Sequence, residues 1–90
     1  MTLTCFILPG CSYCKQAREL IEELRAEKSA YAAIEIDFID ESVESALADR
    51  YDYYRVPSFF LAEKKLYEAN PLWSRAKAKE KLDAMFASLV

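Results

Sequence analysis

The chain has 90 residues, of which 53% are hydrophobic and 30% are charged. This length and balance exclude a disordered chain and predict one small domain with a hydrophobic core, spanning residues 1–90. The formal net charge is -3. A nucleic acid or an anionic membrane is therefore not expected as a partner, because both favour clustered Lys and Arg.

The N-terminal segment lacks the features of a targeting signal. Met1 to Leu8 contains no Lys or Arg, and its apolar run is shorter than a signal peptide or a membrane span requires. We therefore expect a cytoplasmic protein. Thiols are kept reduced in that compartment, so a cysteine pair there is typically reactive or metal-bound rather than a permanent cross-link.

The first half of the chain predicts a strand, a helix and a second strand. Thr2 to Leu8 is rich in Thr, Phe, Ile and Leu, which is interpreted as a strand buried on both faces, and Cys5 within it is interpreted as a small apolar core residue. From Ser12 to about Lys28, apolar residues recur at helical spacing. Ala33 to Ile39 alternates between apolar and polar residues, which indicates a half-covered strand.

The second half predicts a short helix, a hairpin and a final helix. The short helix covers roughly Ser42 to Tyr51. Ser58 to Ala62 and Lys65 to Glu68 are strand-like and close enough for an antiparallel hairpin, in which Lys64 would take the strained turn geometry. Ser74 is a predicted N-cap for a helix to about Leu89. The predicted order is β-α-β-α-β-β-α.

The segment Cys11-Ser12-Tyr13-Cys14 lies where the first strand gives way to the first helix. Unpaired N–H groups and positive potential at a helix N-terminus favour a thiolate over a thiol. Cys11 is therefore the expected nucleophile, and Cys14, one turn inside the helix, is expected to resolve the mixed disulfide. Lys15 lies in the first helical turn, where its charge either adds to this potential or faces solvent. No metal and no tightly bound cofactor is needed for the exchange.

Two other interpretations of the cysteine pair are weaker. A zinc site normally takes four Cys or His ligands, and this sequence has no His and only Cys5 besides the pair. Zinc within one chain is therefore disfavoured. Two idle buried thiols are also disfavoured, because the pair is placed between a strand and a helix.

Together with the element order and with Val56-Pro57 before a strand, the cysteine motif resembles the dithiol glutaredoxins of the thioredoxin superfamily. Cys11-Ser12-Tyr13-Cys14 is similar to their Cys-Pro-Tyr-Cys segment, with Ser12 replacing Pro, and the resemblance covers nearly the whole chain. It implies an α/β protein of thioredoxin-like fold, with a four-stranded mixed sheet flanked by helices.

The resemblance also implies which residues bind substrate. In the family a cis-proline opens the third strand beside the sulfurs, and the residue before it offers its backbone to a peptide or to glutathione; Val56 and Pro57 match this pair. Tyr13 is an expected contact, and Arg55, where Thr is common, offers a charge. The Gly-Gly that holds glutathione in many members is replaced by a different segment, Glu68-Ala69-Asn70-Pro71.

The implied function is a thiol–disulfide oxidoreductase that reduces protein disulfides or glutathione mixed disulfides. Its partners would be disulfide-containing proteins and either glutathione or a flavoprotein reductase, with the chain acting as a monomer. Alternatives are an iron–sulfur cluster bridged between two chains through Cys11 and a non-catalytic thioredoxin-like adaptor. Four tyrosines, Tyr13, Tyr51, Tyr53 and Tyr54, have two interpretations. In one they form a docking face for protein substrates, and in the other two of them pack in the core.

Overall fold

A computed structural model describes residues 1–90. It contains four strands, β1 to β4, three α-helices, α1 to α3, and one 3-10 helix. In chain order these are β1 Thr2–Ile7, α1 Ser12–Glu27, the 3-10 helix Ser29–Ala33, β2 Glu35–Asp40, α2 Ser45–Ala48, β3 Ser58–Leu61, β4 Lys64–Glu68 and α3 Arg75–Ala87. The predicted element order is confirmed, with the 3-10 helix added. Each helix is too short or too polar to cross a lipid bilayer.

The four strands form one mixed sheet in the order β2-β1-β3-β4. β1 pairs in parallel with β2 and antiparallel with β3, and β3 pairs antiparallel with β4. β1 is thus an inner strand, which explains its apolar run: Leu3 and Cys5 are buried in one core cluster and Phe6 in another. Because Phe6 lies opposite Ser58, the chain leaving β1 runs close to the residues that precede β3.

The larger core cluster is formed by α1 and α3 against one face of the sheet. Its helix residues recur at intervals of three or four, so that they share one helix face; they are Ala17, Leu20, Ile21 and Leu24 of α1 and Ala78, Leu82, Met85 and Phe86 of α3. Ser74 caps α3 by accepting a hydrogen bond from the Lys77 N–H. The predicted N-cap and apolar face of this helix are confirmed.

The second strand begins at Glu35, two residues later than predicted, because the 3-10 helix occupies the preceding segment. Tyr31 of that helix is buried, stacks on Phe86 with ring centroids 5.1 Å apart, and donates a 2.5 Å hydrogen bond from its hydroxyl to Asp83. These contacts join residues far apart in the chain, so the local pattern of alternation did not indicate them.

The predicted short helix is smaller than expected, since α2 covers only Ser45–Ala48. Before it, the Asp40 carboxylate accepts hydrogen bonds from the Ser42 N–H (2.9 Å) and the Ser42 hydroxyl (2.6 Å). Such side-chain bonds offer the backbone a turn in place of a helix. The later half of the predicted helix is instead part of an irregular segment that leads to Pro57.

The hairpin turn differs from the prediction in which residue is strained. Leu61 lies opposite Lys64, so the connecting residues are Ala62 and Glu63. Ala62, not Lys64, has a positive φ of 54°. An L-residue in this region places its Cβ too close to the backbone, at a cost of about 1–2 kcal/mol.

Replacing Ala62 by glycine is expected to increase the free energy of unfolding by about 0.5–1 kcal/mol. Glycine relieves the positive φ, although its greater freedom in the unfolded chain removes part of the gain. Urea unfolding of both proteins measures the difference. The same change at Ala84, exposed within α3, is the control and should lose about 1 kcal/mol. A loss of stability at both positions would contradict the turn geometry.

Candidate active site

The cysteine motif forms the junction between β1 and α1. After β1, Gly10 takes a φ of 75°, a value that favours glycine, and the Cys11 N–H donates to the Leu8 carbonyl at 3.3 Å. Cys11 is then the N-cap of α1, and its Sγ accepts a hydrogen bond from the Cys14 N–H at 3.2 Å. The sulfur therefore occupies the position of a capping oxygen, where it receives an otherwise unpaired backbone donor.

The two sulfurs have different environments. Cys11 is half-buried, whereas Cys14 is 4% exposed and is covered by the core side of α1. Burial raises the pKa of the Cys14 thiol to about 12, and its hydrogen bond with Cys11 adds to the effect. No acidic residue lies in the first turn of α1, so nothing there offsets the positive helix terminus. The arrangement gives one accessible sulfur and one protected thiol.

Cys5 is fully buried in the core, and this burial raises the pKa of its thiol well above the ordinary range. It lies mid-strand in β1, opposite Phe59 of β3. The interpretation of Cys5 as a small apolar core residue agrees with this position.

Val56 and Pro57 lie beside Cys11, as the resemblance implied. Their peptide bond is cis. The Cys11 thiol points at the Val56 carbonyl, with Sγ and O 3.8 Å apart, and Pro57 is fully buried. The antiparallel pairing of β1 with β3 produces this contact, because it places the end of one strand next to the start of the other.

A groove of about 330 Å³ opens in front of Cys11. Among the predicted site residues, Tyr13, Arg55 and Val56 line it together with Cys11. Lys15 is exposed on α1 and does not line this groove. The remaining lining comes from the ends of β1 and β2, the segment before β3 and the segment after β4: Leu8, Glu41, Tyr54, Ala69 and Pro71.

The tyrosines before Pro57 divide between core and surface. Tyr51 and Tyr53 pack against Phe6, with ring centroids 4.9 Å and 5.0 Å away, in the smaller core cluster on the second face of the sheet. Tyr54 is 89% exposed. Two of the four tyrosines therefore pack in the core, as the second interpretation has it, and a docking face could include only the two exposed ones near Cys11, Tyr13 and Tyr54.

Glu68 is a residue of this region that sequence reasoning missed. Its Oε2 accepts hydrogen bonds from the backbone N–H groups of Tyr54 (2.6 Å) and Arg55 (2.8 Å), and its Oε1 pairs with Lys65 Nζ at 2.8 Å. Burial opposes ionisation of Glu68, but the bonds from Lys65 and the two amides outweigh it and hold the pKa of the carboxyl below its usual range. A single Glu in a strand carries no sequence signal for such a role.

No group of three or more His, Cys, Asp or Glu side chains could hold a metal ion. Iron–sulfur clusters are held by four protein ligands, mostly thiolates. Only Cys11 and Cys14 share a site, because Cys5 is enclosed in the core. A cluster therefore does not fit within one chain, and a cluster bridged between two chains stays a prediction.

A cysteine pair at a helix N-terminus, beside a cis-proline and on a four-stranded mixed sheet, defines a protein of thioredoxin-like fold with a dithiol site. The family model described as Glutaredoxin matches residues 3–66, which is more than half of the chain. The chain therefore belongs to the glutaredoxin family, a family of thiol–disulfide oxidoreductases.

Comparison with solved structures supports the fold. A chain described as the structure of a malarial protein superposes with a TM-score of 0.59 at 14% identity, covering 93% of this chain and 94% of that one. The zinc-bound form of human ERp44 gives a TM-score of 0.59 at 17% identity, covering 99% of this chain. This chain spans only 26% of the ERp44 chain. No curated protein sequence matches the chain.

Proposed function

We propose that the protein reduces protein disulfides or glutathione mixed disulfides, with Cys11 as nucleophile and Cys14 as resolving cysteine. The observation that supports this most is the asymmetry of the pair. Cys11 Sγ is accessible, accepts the Cys14 N–H at 3.2 Å and faces the groove, while the Cys14 thiol is buried behind it. A hydrogen bond donated to sulfur at a helix N-terminus stabilises the thiolate that attacks a disulfide.

In the first step, the Cys11 thiolate attacks one sulfur of the substrate disulfide. A bond forms between Cys11 and that sulfur, the substrate disulfide breaks, and the other substrate sulfur leaves as a thiolate. In the second step, the Cys14 thiol loses its proton and its sulfur attacks Cys11 Sγ. The Cys11–Cys14 disulfide forms, the bond between Cys11 and the substrate breaks, and the departing substrate sulfur takes up the proton and leaves as a thiol. The substrate gains two electrons, and the protein dithiol loses them.

The mixed disulfide itself favours the second step. Burial is the main cause of the high Cys14 pKa, followed by the hydrogen bond with Cys11, and the negative charge of Cys11 also contributes. Bonding of Cys11 to substrate removes both contributions of Cys11 to this increase, whereas the contribution of burial stays. Arg18, one turn along α1, opposes the increase. Reaction of Cys11 therefore makes Cys14 easier to deprotonate.

The oxidised protein needs an electron donor to return to the dithiol. We propose either glutathione, through a second thiol–disulfide exchange at Cys11, or a flavoprotein reductase that docks at the same groove. Both donors operate in a reducing compartment, so we also propose that the protein functions in the cytoplasm, as a monomer.

The test uses Cys14→Ser, which removes only the resolving thiol. Equilibrated with mixtures of reduced and oxidised glutathione and then alkylated, the variant is expected to accumulate a glutathione adduct at Cys11, while the parent protein closes the Cys11–Cys14 disulfide reversibly. Intact mass with peptide mapping measures both species. Cys5→Ala is the matched control, because Cys5 is buried away from the groove, and it should close the disulfide as the parent does.

If the parent protein closes its disulfide but Cys14→Ser accumulates no glutathione adduct, the dithiol mechanism stands. That result favours a flavoprotein reductase as the electron donor. If no disulfide closes at any glutathione ratio, the proposed function is wrong and the adaptor alternative gains support.

A further inference from the structure

The groove in front of Cys11 continues into a second cavity of about 520 Å³. The two cavities share Tyr54, Arg55, Ala69 and Pro71 as lining residues. Of these two cavities, Glu68 lines the outer one and not the Cys11 groove, and its side chain is 20% exposed. A substrate bound to Cys11 therefore extends along a surface that includes the Glu68 carboxylate.

Three donors converge on this carboxylate. The N–H groups of Tyr54 and Arg55 bind one of its oxygens, and Lys65 Nζ binds the other. Two adjacent amides and an ammonium group form the kind of donor set that binds a carboxylate of a ligand. In this chain the set is already filled by a carboxylate that belongs to the protein.

The other segment along the outer cavity is also bonded internally. The Leu72 N–H donates to the Asn70 side-chain oxygen at 2.9 Å, and the Trp73 N–H donates to the Asn70 carbonyl at 3.0 Å. A ligand carboxylate that displaced Glu68 would leave the Glu68 charge unbonded at a mostly buried position, which is unfavourable. Arg55 makes no ion pair in the structure and remains as the one cation that lines the outer cavity.

The rest of the outer cavity is apolar. Tyr54 is 89% exposed and Leu72 is 90% exposed, and Pro71 and Trp73 lie beside them. Exposed side chains of this kind bind apolar side chains of a partner protein rather than the charged ends of a small peptide. Glutathione has two carboxylates and no large apolar side chain.

We propose that Glu68 sets the substrate preference of the site, by occupying a carboxylate-binding position in the cavity that adjoins the Cys11 groove and so favouring protein disulfides with apolar flanks over glutathione adducts. This inference rests on the proposed function for the identity of the reacting groups. Glu68 acts through the backbone segment before Pro57. It accepts a hydrogen bond from the Arg55 N–H, and the next residue, Val56, has its carbonyl facing Cys11. It is a specificity-determining residue and takes no part in the exchange of sulfur bonds.

The experiment compares kcat/KM for insulin and for a glutathionylated peptide with neutral side chains, with dithiothreitol as reductant. Glu68→Ala frees the three donors. The ratio of kcat/KM for the glutathionylated peptide to kcat/KM for insulin is then expected to increase about tenfold, because hydrogen bonds to a charged group are among the strong ones. Glu68→Gln keeps an acceptor for the amides and should change the ratio less. Glu63→Ala, at the far end of the hairpin, is the matched control and should leave it unchanged.

A binding measurement with acetate tests the vacated position independently of catalysis. Acetate is expected to raise the Tm of Glu68→Ala and to leave the Tm of the parent protein and of Glu63→Ala unchanged. It is also expected to return the activity ratio of Glu68→Ala toward that of the parent. Chloride at equal ionic strength controls for screening.

A merely structural role for Glu68 would lower both activities together, without a change in their ratio and without an effect of acetate, and that result would overturn the proposal. If Glu68→Ala does not fold, Glu68→Ser, which also removes the carboxylate, takes its place, and an unchanged ratio in that variant overturns the proposal instead. If the parent protein reduces neither substrate, the proposed function fails, whereas acetate binding by Glu68→Ala still decides whether the carboxylate-binding position exists.

Discussion

Cys11→Ser is expected to abolish disulfide reduction while leaving the fold intact. Serine removes the nucleophilic sulfur, and a neutral hydroxyl does not attack a disulfide under the same conditions. Serine is also a preferred N-cap, so its Oγ can accept the Cys14 N–H as Sγ does at 3.2 Å. The measurement is the rate of insulin reduction with dithiothreitol as reductant. In the presence of Cys11→Ser, this rate is expected to equal the rate without protein.

The matched variant Cys11→Ala separates catalysis from capping. It should be equally inactive, but loss of the N-cap should lower its free energy of unfolding by about 1 kcal/mol relative to Cys11→Ser. Urea unfolding of the two variants measures that difference. Turnover above background in Cys11→Ser would show that another residue is the nucleophile. Equal stability of the two variants would show instead that residue 11 does not cap α1.

Phe59→Ala is expected to be the most destabilising of the substitutions considered, lowering the free energy of unfolding by about 3–5 kcal/mol. Phe59 is fully buried in β3 and packs edge-on against Tyr67 with ring centroids 5.5 Å apart. Its removal leaves a cavity in the larger core cluster, between the sheet and the helices. Small domains have a total stability of about 5–15 kcal/mol, so the variant should be close to unfolding at room temperature. Urea unfolding followed by circular dichroism measures it.

Two controls define the origin of that loss. Phe59→Leu keeps most of the buried volume and should lose only about 1 kcal/mol. Val43→Ala removes methyl groups from a side chain that is 77% exposed, and its effect should stay within about 0.5 kcal/mol. If Phe59→Ala were as mild as the surface variant, the position of Phe59 at the centre of the core would be wrong.

The Gly-Gly that many glutaredoxins carry after the hairpin is replaced here by Glu68-Ala69-Asn70-Pro71. The first residue of this segment is bonded to the loop before Pro57, because the Tyr54 and Arg55 N–H groups both donate to the Glu68 carboxylate. Under the proposal above, this internal carboxylate occupies donors that a ligand carboxylate would otherwise use, and the preference for protein disulfides follows from it.

The amino-acid sequence by itself determined the elements whose causes are local. The helix after Cys11 follows from apolar residues at helical spacing and from a cap within the same turn. The first strand follows from residues that favour strands, Thr, Phe and Ile, and its burial is complete only at Leu3, Cys5 and Phe6, since Thr2 is exposed and Thr4 is half-buried. The cysteine pair was evident for the same reason, since its chemistry depends on neighbours one turn away.

Only the tertiary structure decided features that depend on distant partners. The 3-10 helix at Tyr31 is held by Asp83 and Phe86, more than fifty positions along the chain. The division of the tyrosines between core and surface depends on where Phe6 lies in the sheet. The role of Glu68 depends on two backbone amides in another loop. Hydrogen bonds and packing contacts of this kind join residues whose proximity is fixed by the pairing of strands, which local periodicity does not encode.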